Sequence, residues 1–140
     1  MADDVVLNKA ATIERCLARV REEYAAAGSG FAENFTRQDA AIFNIQRACE
    51  AALDLGNHVI RRERLGLPQS ARDVFDVLAA NGWIDADLAD ALKKMVGFRN
   101  IAVHEYQRLL LPITLSVITE HLIEFEQFSS AMVQRDSRAK

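Results

Sequence analysis

The sequence is poor in the residues that make turns, disulfides and metal sites. Its 140 residues include only two prolines, six glycines and two cysteines. Scarce proline and glycine, together with frequent alanine and leucine, favour helices over sheet. Cys16 and Cys49 stand far apart and form no C-x-x-C pair, so we interpret them as buried, reduced thiols. The few His and Cys residues also lack ligand spacing, which argues against a zinc site.

Charge and hydropathy exclude further classes of protein. The net charge of −3 argues against a protein that coats nucleic acid through bulk charge, so any RNA contact has to be local or transient. The most apolar stretch, Leu109–Ile118, is too short to span a membrane and contains Pro112. The acidic N-terminus lacks the basic start of a signal peptide. We therefore expect a cytoplasmic protein without a membrane helix.

Apolar residues recurring at steps of three and four predict an all-α fold. We expect one domain over residues 1–140, an antiparallel up-and-down four-helix bundle with a short extra helix. Residues 135–140 are polar and are predicted to fray. The first helix is predicted over residues 4–27 and the second over Gln38–Arg64, with Thr36 and Asp39 as a capping box at the start of the second. A short helix capped by Ser70 and a fourth helix capped by Asp85 follow. The last helix has Pro112 in its first turn.

Three features around the second helix allow more than one interpretation. Small residues on its flank (Ala40, Ala41, Ala48 and Ala51) would let another helix approach closely, and this face is a candidate subunit contact. The run 61–64, Arg-Arg-Glu-Arg, is interpreted as a solvated C-terminal turn, with an RNA-facing basic patch as the alternative. Phe31 and Phe35 are expected to cover the end of the bundle.

The stretch Met95–Tyr106 organises the functional interpretation. Leu88, Leu92 and Met95 lie on one helical stripe, and the next position on that stripe is Arg99. A core-facing stripe that ends in a guanidinium should face a polar cleft or a partner. An Arg offers a fork of donors suited to phosphate, and a His such as His104 can move a proton near neutral pH. Together they are the minimum equipment for cleaving or holding a phosphodiester without a metal.

Helical geometry constrains how these groups can cooperate. Five residues of a regular helix turn about 500°, so Arg99 and His104 would point roughly 140° apart. Asn100 and His104, four residues apart, would share a face. Either the helix loosens after Gly97 and brings Arg99 and His104 together, or two chains supply a composite site.

The pattern Arg99-x4-His104-x-Tyr106, preceded by Met-Val-Gly-Phe at 95–98, resembles the signature of the HepT toxins. These form a branch of the HEPN superfamily of small helical ribonucleases. The long second helix, the Gly-Leu-Pro-Gln-Ser link at 66–70 and the Lys-Lys lead-in at 93–94 extend the resemblance over most of the chain.

The resemblance implies a HEPN-type bundle that forms a symmetric homodimer, with both motifs lining one cleft. The implied activity is metal-independent and cofactor-free RNA cleavage, in which a ribose 2′-hydroxyl attacks its adjacent phosphate. His104 would move a proton, Arg99 would stabilise charge on the phosphate, and Asn100 would hold His104 or a phosphate oxygen. HepT-like toxins pair with a nucleotidyltransferase antitoxin of the MntA type, which transfers AMP to the motif tyrosine. Carried over by position, Tyr106 would be that acceptor.

Structural interpretations of the same residues stand beside the functional one. Arg99 could be a buried side chain paired with Glu105 or a helix-end carbonyl. His58 and His121 lack functional neighbours in sequence and are taken as surface or packing residues. A non-catalytic module that binds a nucleotide or a partner, with Tyr106 as a modification switch, is the alternative function, which the acidic net charge favours. A plain helical scaffold is a third.

Overall fold

A computed structural model describes residues 2–139 and shows a helical bundle with no strand in that range. Four long helices form the bundle and a short helix packs against it. None of the helices within residues 2–139 is both long and apolar enough to cross a membrane. The elements are α1 (Asp4–Ala27), a 3₁₀ helix (Gly28–Glu33), α2 (Phe35–Glu63), α3 (Ala71–Ala80), α4 (Ala86–His104), a 3₁₀ turn (Tyr106–Arg108), α5 (Leu111–Ser116), a π-helical segment (Val117–His121) and α6 (Leu122–Ala139).

Side-chain contacts fix the antiparallel order. Glu23 near the end of α1 pairs with Arg37 near the start of α2 at 2.7 Å, and Lys9 near the start of α1 pairs with Asp54 farther along α2 at 3.1 Å, so these two helices run in opposite directions. Tyr106, just after α4, contacts Asp39 in the first turns of α2, and α4 therefore also runs opposite to α2. The all-α bundle predicted from the sequence is confirmed.

Local capping signals account for most helix boundaries. Ser70 accepts a hydrogen bond from the Asp73 N–H and starts α3, and Asp85 does the same for Leu88 at the start of α4, as predicted. The predicted start of α2 was wrong, because the cap is Asn34, whose side chain accepts from a backbone N–H at 3.0 Å. This frees Thr36 and Asp39 from capping.

The centre of the bundle is occupied by α2. Ala41, Ala48 and Ala51 are buried within the chain, so the prediction that they form a subunit contact was wrong. Small residues permit close helix approach, but here the approaching helices belong to the same chain.

Two other packing predictions have clear outcomes. Phe31 is buried and packs edge-to-face on Tyr24, whereas Phe35 is 71% exposed and does not cover the bundle end. Cys16 and Cys49 are both buried and free, as expected.

A charged cluster joins the two ends of the described chain. Arg62 contacts Asp3 before α1, and its Nη2 lies 2.5 Å from Oδ1 of Asp136 on α6. His58 lies 2.9 Å from Asp3. α6 continues to Ala139 over the stretch for which fraying was predicted, and the Asp136 side chain within it is fully buried. Lys140 lies outside the described residues. Arg62 is likewise a paired, largely buried side chain and not part of a solvated turn.

Candidate active site

The motif lies on a regular helix. α4 remains α-helical from Ala86 to His104 without interruption at Gly97. The first of the two alternatives considered from the sequence, a loosening of the helix after Gly97, therefore does not occur. With about 100° per residue, Arg99 and His104 point to different sides of α4. One chain alone does not bring these two groups together.

Arg99 is held on the α2 side of α4. Its side chain is 18% exposed, and its Nε lies 2.9 Å from Oε1 of Glu50 on α2. Although the two atoms are close, no acceptor among the described residues is aligned with the Nε–H, so this buried donor lacks a directed hydrogen bond. Arg99 does not pair with Glu105, one of the partners considered from the sequence, since Glu105 pairs with Arg108 at 2.5 Å. An under-satisfied guanidinium retains the capacity to bind an oxyanion.

The environment of Arg99 is polar on its open side. The apolar stripe of α4 that precedes it is buried, and the stripe's end faces a cleft, as predicted. The cleft has a volume of about 410 Å³, and Arg99 shares its wall with Glu50, Asp54, Asn57, Gln69 and Ser70.

A thiol lies beneath Arg99 on the inner side. Burial raises the pKa of Cys49 to about 12, although the nearby Arg99 guanidinium acts in the opposite direction. At neutral pH the thiol is protonated, so it does not compete with Glu50 for the cation.

His104 and Asn100 lie on a more open part of the helix. His104 is the last residue of α4 and is exposed, and Asn100 is half-buried. In the described part of the chain, no hydrogen bond or ion pair engages either side chain. Their spacing of four residues places them on one face, where a substrate or a second chain can reach both.

Tyr106 begins the 3₁₀ turn that follows α4 and is 41% exposed. Its hydroxyl donates a hydrogen bond to Oδ1 of Asp39 on α2. Partial burial, and then the negative charge of Asp39, raise the pKa of Tyr106 to about 12.

Glu50 and Asp39 are the site residues that sequence reasoning missed. Asp39 was interpreted as part of a cap, and Glu50 was not singled out. Both contacts join α2 to the segment around the motif, and no local pattern in the sequence signals them.

The other histidines occupy structural positions. His58 contacts Asp3 in the charged cluster, and Nδ1 of His121 lies 2.9 Å from Oε1 of Glu124 on the same helical segment. No group of three or more His, Cys, Asp or Glu side chains that could hold a metal ion occurs between residues 2 and 139.

Comparison with known proteins places this geometry in a family. Residues 13–132 match the family described as ribonuclease HepT-like. The chain is 52% identical over 126 residues to the mRNA nuclease HepT of Shewanella oneidensis, which covers 90% of this chain and 94% of that protein.

Solved structures agree with the sequence match. A tri-AMPylated Shewanella oneidensis HEPN toxin in complex with an MNT antitoxin is 48% identical, covers 99% of both chains and has a TM-score of 0.88. A toxin–antitoxin structure with AMP-PNP is 49% identical, covers 93% of this chain and 98% of that one, and has a TM-score of 0.87. The chain therefore belongs to the ribonuclease HepT-like family.

Proposed function

We propose that this chain is the toxin of a toxin–antitoxin pair and that it cleaves RNA at a composite site built by two copies. The observation that carries the proposal is the split of the motif over a regular helix. Arg99 faces the α2 side, whereas the exposed His104 and the half-buried Asn100 lie elsewhere on α4. A two-fold axis beside α4 would let the Arg of one copy meet the His of the other.

Exposed apolar side chains support a homodimer through this region. Ile101 and Val103 on α4, and Leu110 and Ile113 just beyond it, are large and exposed. Such a patch next to an incomplete polar site is typical of an interface. Residues 1–140 would act as one domain in this dimer, since one hydrophobic core extends through the described helices.

The proposed reaction is metal-independent transfer within RNA. A ribose 2′-hydroxyl attacks its adjacent phosphate, the bond to the 5′-oxygen breaks, and the products are a cyclic phosphate and a 5′-hydroxyl. His104 takes or gives a proton, Arg99 stabilises the charge on the phosphate, and Asn100 holds His104 or a phosphate oxygen. The nuclease name of the Shewanella relative supports this class of substrate.

Restraint of the toxin is proposed to come from AMP transfer to Tyr106 by a nucleotidyltransferase antitoxin. The related toxin of known structure is AMPylated and bound to such an antitoxin. A phosphate-linked adenosine on Tyr106, two residues from His104, would add negative charge and bulk where RNA has to bind.

The two free thiols are consistent with a reducing, cytoplasmic location.

A mixed-dimer experiment tests the composite site. Arg99→Ala and His104→Ala chains, each carrying a different tag, are co-expressed and purified through both tags. We expect each homodimer to lose RNA cleavage, because each lacks one group in both copies. The mixed dimer should regain a measurable fraction, because one copy supplies Arg99 and the other His104. His121→Ala is the matched control and should cleave normally.

Two results would contradict the proposal. Full cleavage by both alanine homodimers, purified free of contaminating nuclease, would remove the catalytic roles. Inactive homodimers with an equally inactive mixed dimer would show that one Arg99 and one His104 from different copies do not make a working site. Intact mass after incubation with the antitoxin and MgATP tests the modification, and a mass gain that survives Tyr106→Phe would exclude Tyr106 as the acceptor.

A further inference from the structure

The contact between Tyr106 and Asp39 has a chemical consequence for AMP transfer. Asp39 lies in the first turns of α2, and its Oδ1 accepts the hydrogen bond of the Tyr106 hydroxyl. Both side chains are exposed enough to be reached from outside. The acceptor oxygen and a carboxylate are therefore already in contact in the unmodified chain.

We propose that Asp39 is the general base for AMP transfer to Tyr106, so that the toxin itself supplies a catalytic group for its own modification. This inference rests on the proposed function, in which Tyr106 is the acceptor. In the step, Oη of Tyr106 forms a bond to the α-phosphorus of ATP. The bond from that phosphorus to the β-phosphate breaks and pyrophosphate leaves. The hydroxyl proton passes to Asp39, which later releases it to solvent.

The need for a base follows from the acidity of the phenol. Because partial burial and Asp39 raise the pKa of Tyr106 to about 12, the free phenolate is scarce near neutral pH. At a pH near 7 only roughly one molecule in 10⁵ would carry it. The oxygen therefore has to lose its proton during the attack, and a carboxylate already bonded to that proton meets the geometric requirement.

The surroundings of Asp39 favour this role over a structural one. Within residues 2–139, no cation forms an ion pair with Asp39, and no second side chain bonds to the Tyr106 hydroxyl. The hydrogen bond also fixes the hydroxyl so that the oxygen's lone pairs point away from Asp39. That orientation leaves the oxygen open to an incoming phosphate.

The test measures initial rates of AMP incorporation by intact mass, with the partner nucleotidyltransferase, MgATP and a series of toxin concentrations that extends to saturation. Asp39→Asn keeps the size and a hydrogen-bond acceptor but cannot take a proton. We expect the rate at neutral pH to fall by about 10²–10⁴-fold. Glu33→Gln, an exposed carboxylate on the preceding 3₁₀ helix, is the matched control and should leave the rate unchanged.

The pH profile separates a base from a merely structural carboxylate. Wild type should vary little between pH 7 and 9, whereas Asp39→Asn should gain about tenfold per pH unit, because its attack depends on pre-formed phenolate. Asp39→Glu should recover part of the rate. If Asp39→Asn does not fold, judged by circular dichroism, the profile of the wild type decides, and a tenfold rise per unit there would overturn the proposal.

Other outcomes also decide against it. A wild-type rate for Asp39→Asn, or a change in KM alone with kcat unchanged, would leave Asp39 with no part in proton transfer. Failure of the underlying assumption is distinguishable, because Tyr106→Phe would then still gain AMP. If Tyr106→Phe gains none and Asp39→Asn reacts normally, only the assignment of the base is wrong.

Discussion

Replacing Arg62 by alanine removes the cation that contacts both ends of the described chain. Its guanidinium contacts Asp3, and its Nη2 lies 2.5 Å from Asp136, whose side chain has no exposed surface. The substitution would leave the Asp136 carboxylate buried without a counter-charge. Removing one partner of a buried pair typically costs about 3–5 kcal/mol.

The lower end of that range is the better expectation. The Arg62 side chain is 20% exposed, so water can enter the vacated space and solvate part of the remaining charge. A loss of about 3 kcal/mol raises the unfolded fraction roughly a hundredfold. For a chain of this length it corresponds to a fall of about 10 °C in Tm.

Thermal and urea unfolding, followed by circular dichroism at one fixed protein concentration, measure this loss. Arg61→Ala is the matched control, since Arg61 is an exposed arginine one position earlier on the same helix, and it should change stability by less than about 0.5 kcal/mol. The double variant Arg62→Ala, Asp136→Ala should recover part of the loss. Equal, small effects of Arg61→Ala and Arg62→Ala would refute the reasoning.

The same cluster predicts a pH dependence. Burial acts to raise the pKa of Asp3, but hydrogen bonds from the Val6 N–H, His58 and Arg62 outweigh it and hold the pKa well below its usual range. A carboxylate with a depressed pKa in the folded state stabilises fully above its unfolded value, about 4, and loses that stabilisation as the pH falls further. The gap between wild type and Arg62→Ala should therefore narrow below about pH 4.

Two further predictions concern close packing and the acceptor tyrosine. A Cβ at Gly56 would lie 2.6 Å from Cγ1 of Val74, so Gly56→Ala should lower the free energy of unfolding by about 1–3 kcal/mol in thermal unfolding. Gly30 has open space around it, so Gly30→Ala should be nearly neutral. Equal effects of the two substitutions would contradict the predicted steric overlap at Gly56. In ultraviolet titration one tyrosine should ionise near pH 12, and Asp39→Ala should lower the pKa of Tyr106, because it removes one of the causes of its shift. An unchanged pKa of Tyr106 in Asp39→Ala would show that Asp39 does not contribute to the shift.

Features encoded by a few neighbouring residues were predictable. Ser70 and Asp85 start helices because their side chains satisfy backbone N–H groups three residues ahead, which a short pattern reveals. The end of the apolar stripe at Arg99 predicted a polar cleft, because burying an unpaired guanidinium among apolar side chains is costly. The sequence does not show which of two nearby capping residues starts a helix, and Asn34 starts α2 where Thr36 was expected.

Contacts between distant charges were not predictable. The Tyr106–Asp39 hydrogen bond spans 67 positions and the Arg62–Asp136 pair spans 74. The sequence therefore shows that these polar side chains are present but not which of them contact each other. Without the pairing, Arg62 and residues near Asp136 were interpreted as solvated. Buried alanines such as Ala48 were ambiguous in another way, since a small side chain suits contact within one chain or between two.

The alkylation rate of the Cys49 thiol can be used to measure local opening of the structure around the motif. It is buried on α2, its raised pKa keeps it protonated, and Arg99 of α4 lies over it. An alkylating reagent can reach the sulfur only when the packing around it opens, so the labelling rate reports how often that opening occurs. A bound RNA or protein that stabilises α4 in its position should therefore lower the labelling rate without contacting the sulfur.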